Sequence, residues 1–155
     1  MSHLKYINGV PVTVEEYAVV PKNADVLVTD NYTISAINSG AEIKIATDGK
    51  VISGSVNFPI GAEFTIRNVG ANGNNIITFS PESTAAVFGA VKRRKGTNAD
   101  ATAADGLVCV AGGVLDKDWI NTKTSAIKND FTTFKKVSAT EYLITNGLGI
   151  WVSES

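Results

Sequence analysis

Histidine and cysteine each occur once, at His3 and Cys109, and that scarcity closes off most side-chain chemistry. A single thiol cannot form a disulfide within the chain. Ser-His-Asp or Cys-His catalysis needs a base held rigidly against its nucleophile. His3 stands beside the N-terminus and reads as a solvated tail residue. One His and one Cys also fall short of a zinc ligand set. Cys109, inside Leu107-Val108-Cys109-Val110, reads as a small buried hydrophobe, because no neighbouring base or helix N-terminus would depress its pKa.

Charge is scarce as well: 19% of residues are charged and the formal net charge is −1. Affinity for nucleic acid is built from Lys and Arg displacing counterions, so no nucleic-acid partner is expected. No apolar run approaches the ~18 residues of a membrane span, and no basic start leads into an apolar signal segment. The expectation is a protein made in the cytoplasm, with no membrane partner and no export route of its own. Gly70-Ala71-Asn72-Gly73 joins two strand patterns rather than a strand and a helix, so it is no phosphate loop. No cofactor is expected.

What the chain does have is alternation. In Glu42-Ile43-Lys44-Ile45 and Phe64-Thr65-Ile66-Arg67 apolar and polar residues fall on opposite faces, as in half-buried antiparallel strands. Shorter runs of the same kind occur at Val10–Val14, Tyr17–Val20, Asp25–Thr29, Tyr32–Ile37, Lys50–Ser53, Asn75–Phe79, Gly106–Ala111, Thr132–Val137 and Glu141–Thr145. Turn signals separate them at Asn8-Gly9, Asp48-Gly49, Asn72-Gly73, Asp105-Gly106 and Asn146-Gly147. The last of these predicts a C-terminal hairpin, Tyr142 to Val152, closed by Asn-Gly. Many short strands in 155 residues predict one all-β domain, an antiparallel β-sandwich or jelly roll. No internal repeat of fixed spacing is evident. For Asp116–Asp130, with Trp119, Ile120, Ile127 and Phe131 at helical spacing, a helix, a loop and a strand all remain open.

Two segments stand apart. Residues 1–20 carry apolar side chains without an evident partner strand and read as an extended N-terminal arm ahead of a domain spanning 21–155. Leu4, Tyr6, Ile7, Val10 and Val12 are its candidates for contact with another chain. Ala90–Asp105 reads as one long surface loop. Its basic run, Lys92, Arg93, Arg94 and Lys95, is the candidate for docking on an acidic protein neighbour.

Enzymatic and sugar-binding alternatives have thinner support. Paired carboxylates facing each other at about 5–9.5 Å would hydrolyse glycosides, but Glu15-Glu16, Glu63, and Asp116 with Asp118 are scattered over presumed turns and solvent faces. Trp119, Trp151, Tyr32 and Tyr142 would stack on sugar rings if exposed, whereas in a sandwich such residues more often fill the core.

Gly61-Ala62-Glu63-Phe64-Thr65-Ile66-Arg67-Asn68-Val69-Gly70, followed by Asn75-Ile76-Ile77-Thr78-Phe79-Ser80-Pro81, resembles a pattern of small β-rich virion proteins of tailed bacteriophages. So do the Val56-Asn57-Phe58-Pro59 step and the closing Asn146-Gly147-Leu148-Gly149-Ile150-Trp151. The resemblance covers about residues 30–90 and the last fifteen. It implies a non-enzymatic virion component, a capsid decoration or cement protein that associates as a homotrimer and binds the major capsid protein on the capsid surface. A tail-fibre or receptor-binding module for host glycans is the alternative. Nothing in either role requires chemistry; free strand edges and an apolar arm would suffice.

Overall fold

In the computed structural model the described residues are 3–7, 10–14, 23–73, 75–93, 108–122 and 125–154, with side chains described from Asn23 onward. They form an all-β fold of two facing mixed sheets, consistent with a β-sandwich, and a separate two-stranded sheet. The two-stranded sheet pairs β1 (His3–Ile7) with β2 (Val10–Val14), antiparallel, from His3 opposite Val14 to Ile7 opposite Val10. The run at Val10–Val14 therefore has a partner strand, one that alternation alone did not reveal.

The larger sheet has seven strands in the order β10-β9-β13-β12-β7-β5-β3, and the smaller has five, β14-β11-β8-β6-β4. The chain enters through β3 (Val26–Val28), crosses to β4 (Tyr32–Thr33), and returns as β5 (Glu42–Ile45). It repeats the circuit with β6 (Lys50–Ser53), β7 (Glu63–Asn68) and β8 (Ile77–Ser80). Because each strand crosses to the opposite sheet, strands that become neighbours run in the same direction: β3, β5 and β7 are parallel, as are β4, β6 and β8. The expected all-β sandwich is present, but its sheets are mixed rather than antiparallel. A half-buried strand alternates whichever way its neighbour runs, so the pattern identified the strands and not their direction.

Most of the remaining pairings are antiparallel. β9 (Ala86–Lys92) pairs with β10 (Val108–Leu115), and β11 (Trp119–Asn121) packs between β8 and β14 (Trp151–Ser153). β12 (Phe131–Ser138) lies between β7 and β13 (Glu141–Leu148). β13 runs parallel to β9.

Three further expectations are corrected, and one open choice is resolved. Tyr32–Ile37 is not one strand: β4 ends at Thr33, and a 3-10 turn at Ala36–Asn38 follows, with the buried Asn38 carboxamide oxygen accepting the Ser35 N–H at 2.8 Å. Ala90, Val91 and Lys92 belong to strand β9 rather than to a loop. In Asp116–Asp130, where helix, loop and strand were open, Trp119–Asn121 forms the strand β11. Asn146-Gly147 closes no hairpin. It lies inside β13, beside a bulge opposite Thr133 and Phe134, and a Cβ on Gly147 would overlap Val91. The chain turns instead at Gly149, whose φ of 124° suits glycine, and β14 then joins the other sheet.

Alternation places the core between the sheets. Ile43, Ile45, Phe64, Ile66, Phe134, Tyr142 and Val91 face inward from the larger sheet. Ile52, Ile77, Phe79, Trp119 and Trp151 do so from the smaller. Phe64 is the hub, with Phe58, Phe79, Phe134 and Tyr142 at ring-centroid distances of 5.1, 5.4, 5.2 and 6.2 Å. At these separations aromatic pairs add to the stabilisation from burial alone.

Candidate functional site

Two polar clusters lie inside the sandwich. In the first, Asn68 Nδ2 donates to Asn121 Oδ1 (3.1 Å), and Asn121 Nδ2 donates to Asp130 Oδ2 (3.2 Å) and to the Ile150 carbonyl (3.0 Å). Asn75 Nδ2 reaches Asn68 Oδ1 at 3.4 Å. All four side chains are buried. They tie β7 to β11, to the approach to β12 and to the corner after β13, satisfying one another as buried polar groups must.

In the second, Lys136 of β12 is buried and donates to Glu82 Oε1 (2.9 Å) and the Ser55 carbonyl (2.7 Å). The Tyr142 hydroxyl donates to the same Glu82 oxygen at 3.1 Å. A Cβ on Gly54 would overlap the Glu82 carboxylate, so that glycine lets β6 end against the pair. Burial, then the hydrogen bond to Glu82 and its charge, pushes the Tyr142 phenol above its ordinary range. The unfolded chain therefore loses that proton first as pH rises. The stability neutral Tyr142 contributes is intact below about pH 10 and declines above it. Urea midpoints should fall between about pH 9 and about pH 11, with Tyr142→Phe flattening the decline.

These clusters account for several sequence candidates. Trp119, Trp151 and Tyr142 are buried; the Trp119 indole donates to Thr132 Oγ1 (3.1 Å), and the Trp151 indole to the Leu148 carbonyl (3.3 Å). They are core residues and present no face for stacking on a sugar. Tyr32 is partly buried, its hydroxyl paired with Asn38. Cys109 is half-buried, its sulfur 3.4 Å from the Trp151 amide. Glu63 is exposed on β7; Glu15 and Glu16 lie outside the described residues. No group of three or more His, Cys, Asp or Glu among the described residues could hold a metal ion.

Of the residues expected to bind another chain, Leu4, Tyr6, Ile7, Val10 and Val12 have their backbone in the β1–β2 hairpin. Their side chains lie outside the described residues. Lys92 is the exposed last residue of β9, and Arg93 follows it, half-buried. Arg94 and Lys95 lie outside the described residues.

The outer face of the larger sheet divides into two halves. On β5, β7 and β12 it is largely charged and internally paired, while β3 presents the exposed Leu27. Arg67 Nε donates to Glu42, the Arg67 guanidinium lies 4.7 Å over the Phe131 ring, and Lys44 meets Asp25 at 3.5 Å. On β9 and β10, together with Leu143 of β13, it is apolar up to Lys92, while Thr145 and Asn146 of β13 are exposed polar residues. Register sets Leu143 beside Phe88, Phe88 opposite Gly112, and Ala90 opposite Val110. Leu143 and Phe88 are each 38% exposed, Val108 54% and Val110 61%. A contiguous exposed apolar patch of this kind marks a surface for protein contact. No direct signal in the sequence marks it. Val108 and Val110 sit in an unbroken apolar run, so nothing local separates their exposed side from a buried one.

No family model, curated protein or solved structure matches the chain. The residues that carry the phage-like pattern have structural roles. Phe64, Ile66, Phe79 and Pro81 are buried, Asn68 centres the first polar cluster, and a Cβ on Gly70 would overlap Asn75. The pattern is thus explained by the needs of the core, and says nothing by itself about a partner.

Proposed function

We propose that this protein is a non-enzymatic structural component that attaches to a larger protein assembly through the apolar half of its seven-stranded sheet. The observation that carries this reading is the segregated outer face, with Leu143, Phe88, Ala90, Val110 and Val108 uncovered among the described residues. Its ionisable groups support it too: Glu82 is committed to Lys136 and Glu42 to Arg67 inside structural pairs. The sequence likeness extends the reading to a capsid decoration or cement protein whose assembly is the major capsid protein shell of a tailed phage.

Attachment is tested by co-sedimentation with such shells. Leu143→Glu places a charge in the patch while facing Lys135 across the strand pair, so the fold should be little disturbed. It should lower occupancy by about tenfold or more, because a charge replaces an apolar contact in the interface. Unchanged occupancy by a folded Leu143→Glu variant would reject the face. Failure of the wild-type protein to bind any shell would reject the capsid reading.

A further inference from the structure

The two sheets end in four edge strands, and they are not alike. β3 has three residues, β4 two and β14 three. Edges this short offer little to an incoming strand, and shortness is one of the ordinary protections against edge-to-edge pairing. β10 has eight residues, Val108 to Leu115, none of them charged. Its only irregularity is a bulge between Gly112 and Leu115, which leaves Val108–Gly112 in regular register with β9. Among the described residues nothing pairs with its outer side.

The charges at the two ends of β10 are opposite in sign. Val108 is paired with the exposed Lys92, and Arg93 follows it. Leu115 leads into Asp116-Lys117-Asp118, which carries one net negative charge with Asp116 exposed, and its partner Ala86 lies beside Glu141 of β13. In an antiparallel match of two such strands, the basic end of each lies beside the acidic end of the other. A parallel match would bring like charges together. Antiparallel pairing of identical strands is also what a twofold axis generates, and twofold dimers are the commonest symmetric assembly.

We infer that β10 is a self-association edge, on which a second copy of this chain adds its own β10 antiparallel to make one sheet continuous across the dimer. The inference rests on the reading of the β9–β10 side as a protein-binding surface. It adds a twofold contact along the edge, where the resemblance implied a trimer. Main-chain hydrogen bonds along Val108–Gly112 supply the affinity, and the flanking charges fix the direction.

Sedimentation equilibrium of the full chain over a wide concentration range tests the inference. A reversible monomer–dimer equilibrium is expected. Val110→Lys sets a charge at the middle of the pairing stretch and should weaken association by more than about tenfold, with circular dichroism unchanged. Lys92→Glu reverses the exposed charge beside Val108 and should weaken association at low salt, the loss shrinking as salt is added. A wild-type chain that is monomeric or trimeric at every concentration would overturn the inference. So would a dimer indifferent to Val110→Lys. Attachment to shells is read separately through Leu143→Glu, so a monomer that still attaches refutes the dimer alone, and a dimer that never attaches refutes the attachment reading alone.

Discussion

Replacing Glu82 with alanine should destabilise this protein by about 3–5 kcal/mol, because it strands a buried ammonium group. Lys136 has a side-chain exposure of 2%, against 12% for Glu82. Once the carboxylate is gone, only the Ser55 carbonyl and the face of the Tyr142 ring, 5.3 Å away, answer the charge. Lys136→Met in the same background should recover most of the loss. The second Glu82 oxygen has no hydrogen-bond partner among the described residues, so the native pair is itself incompletely satisfied. Apolar replacement of buried ion pairs is often neutral or stabilising. Urea unfolding of the two single variants and the double variant checks this. A Glu82→Ala variant as stable as the parent would mean that Lys136 finds water in the folded state.

Phe64→Ala should cost a similar amount, about 3–5 kcal/mol, and lower the melting temperature by on the order of 10 °C. The ring is 1% exposed and touches four other aromatic rings drawn from both sheets and the β6–β7 connection. Its loss opens a cavity where the sheets meet, and the rigid neighbouring rings cannot collapse to fill it. Leu27→Ala provides the contrast. Leu27 is apolar and in a strand, but it is 63% exposed, and its removal should stay within about 0.5 kcal/mol. Thermal melts of the two variants separate a residue that joins the sheets from one that decorates an edge.

Strands were legible where a period of two met a single buried face. Glu42–Ile45 and Phe64–Arg67 show the alternation in sequence and in burial alike. Their direction was hidden, because the corner at Asp48-Gly49 looks the same whether the next strand pairs with the last or crosses to the opposite sheet. The paired positions Val26, Ile43 and Ile66 form a structural repeat. Connections of unequal length keep any fixed period out of the sequence. Asn146-Gly147 misled for a further reason. Its glycine is needed where β13 passes under Val91, a close approach set by a strand more than fifty residues earlier in the chain.

The candidate surface was less legible than the core. Lys92, a candidate for its charge, stands at one end of the β9–β10 pair. Val108 and Val110 share one apolar run with Cys109, which reads as buried. The distinction between them depends on which side of β10 meets the second sheet: Cys109 turns toward Trp151, and the two valines turn away. Only the assembled sandwich decides that.

The claim that β10 is a working edge is tested most directly by amide hydrogen exchange of the intact chain at low and high protein concentration. The account predicts that amides within Val108–Gly112 pointing away from β9 exchange quickly when dilute and slow markedly as concentration rises, while β3, β4 and β14 do not change. Exchange along β10 that is independent of concentration, or new protection at the β3 edge instead, would contradict it.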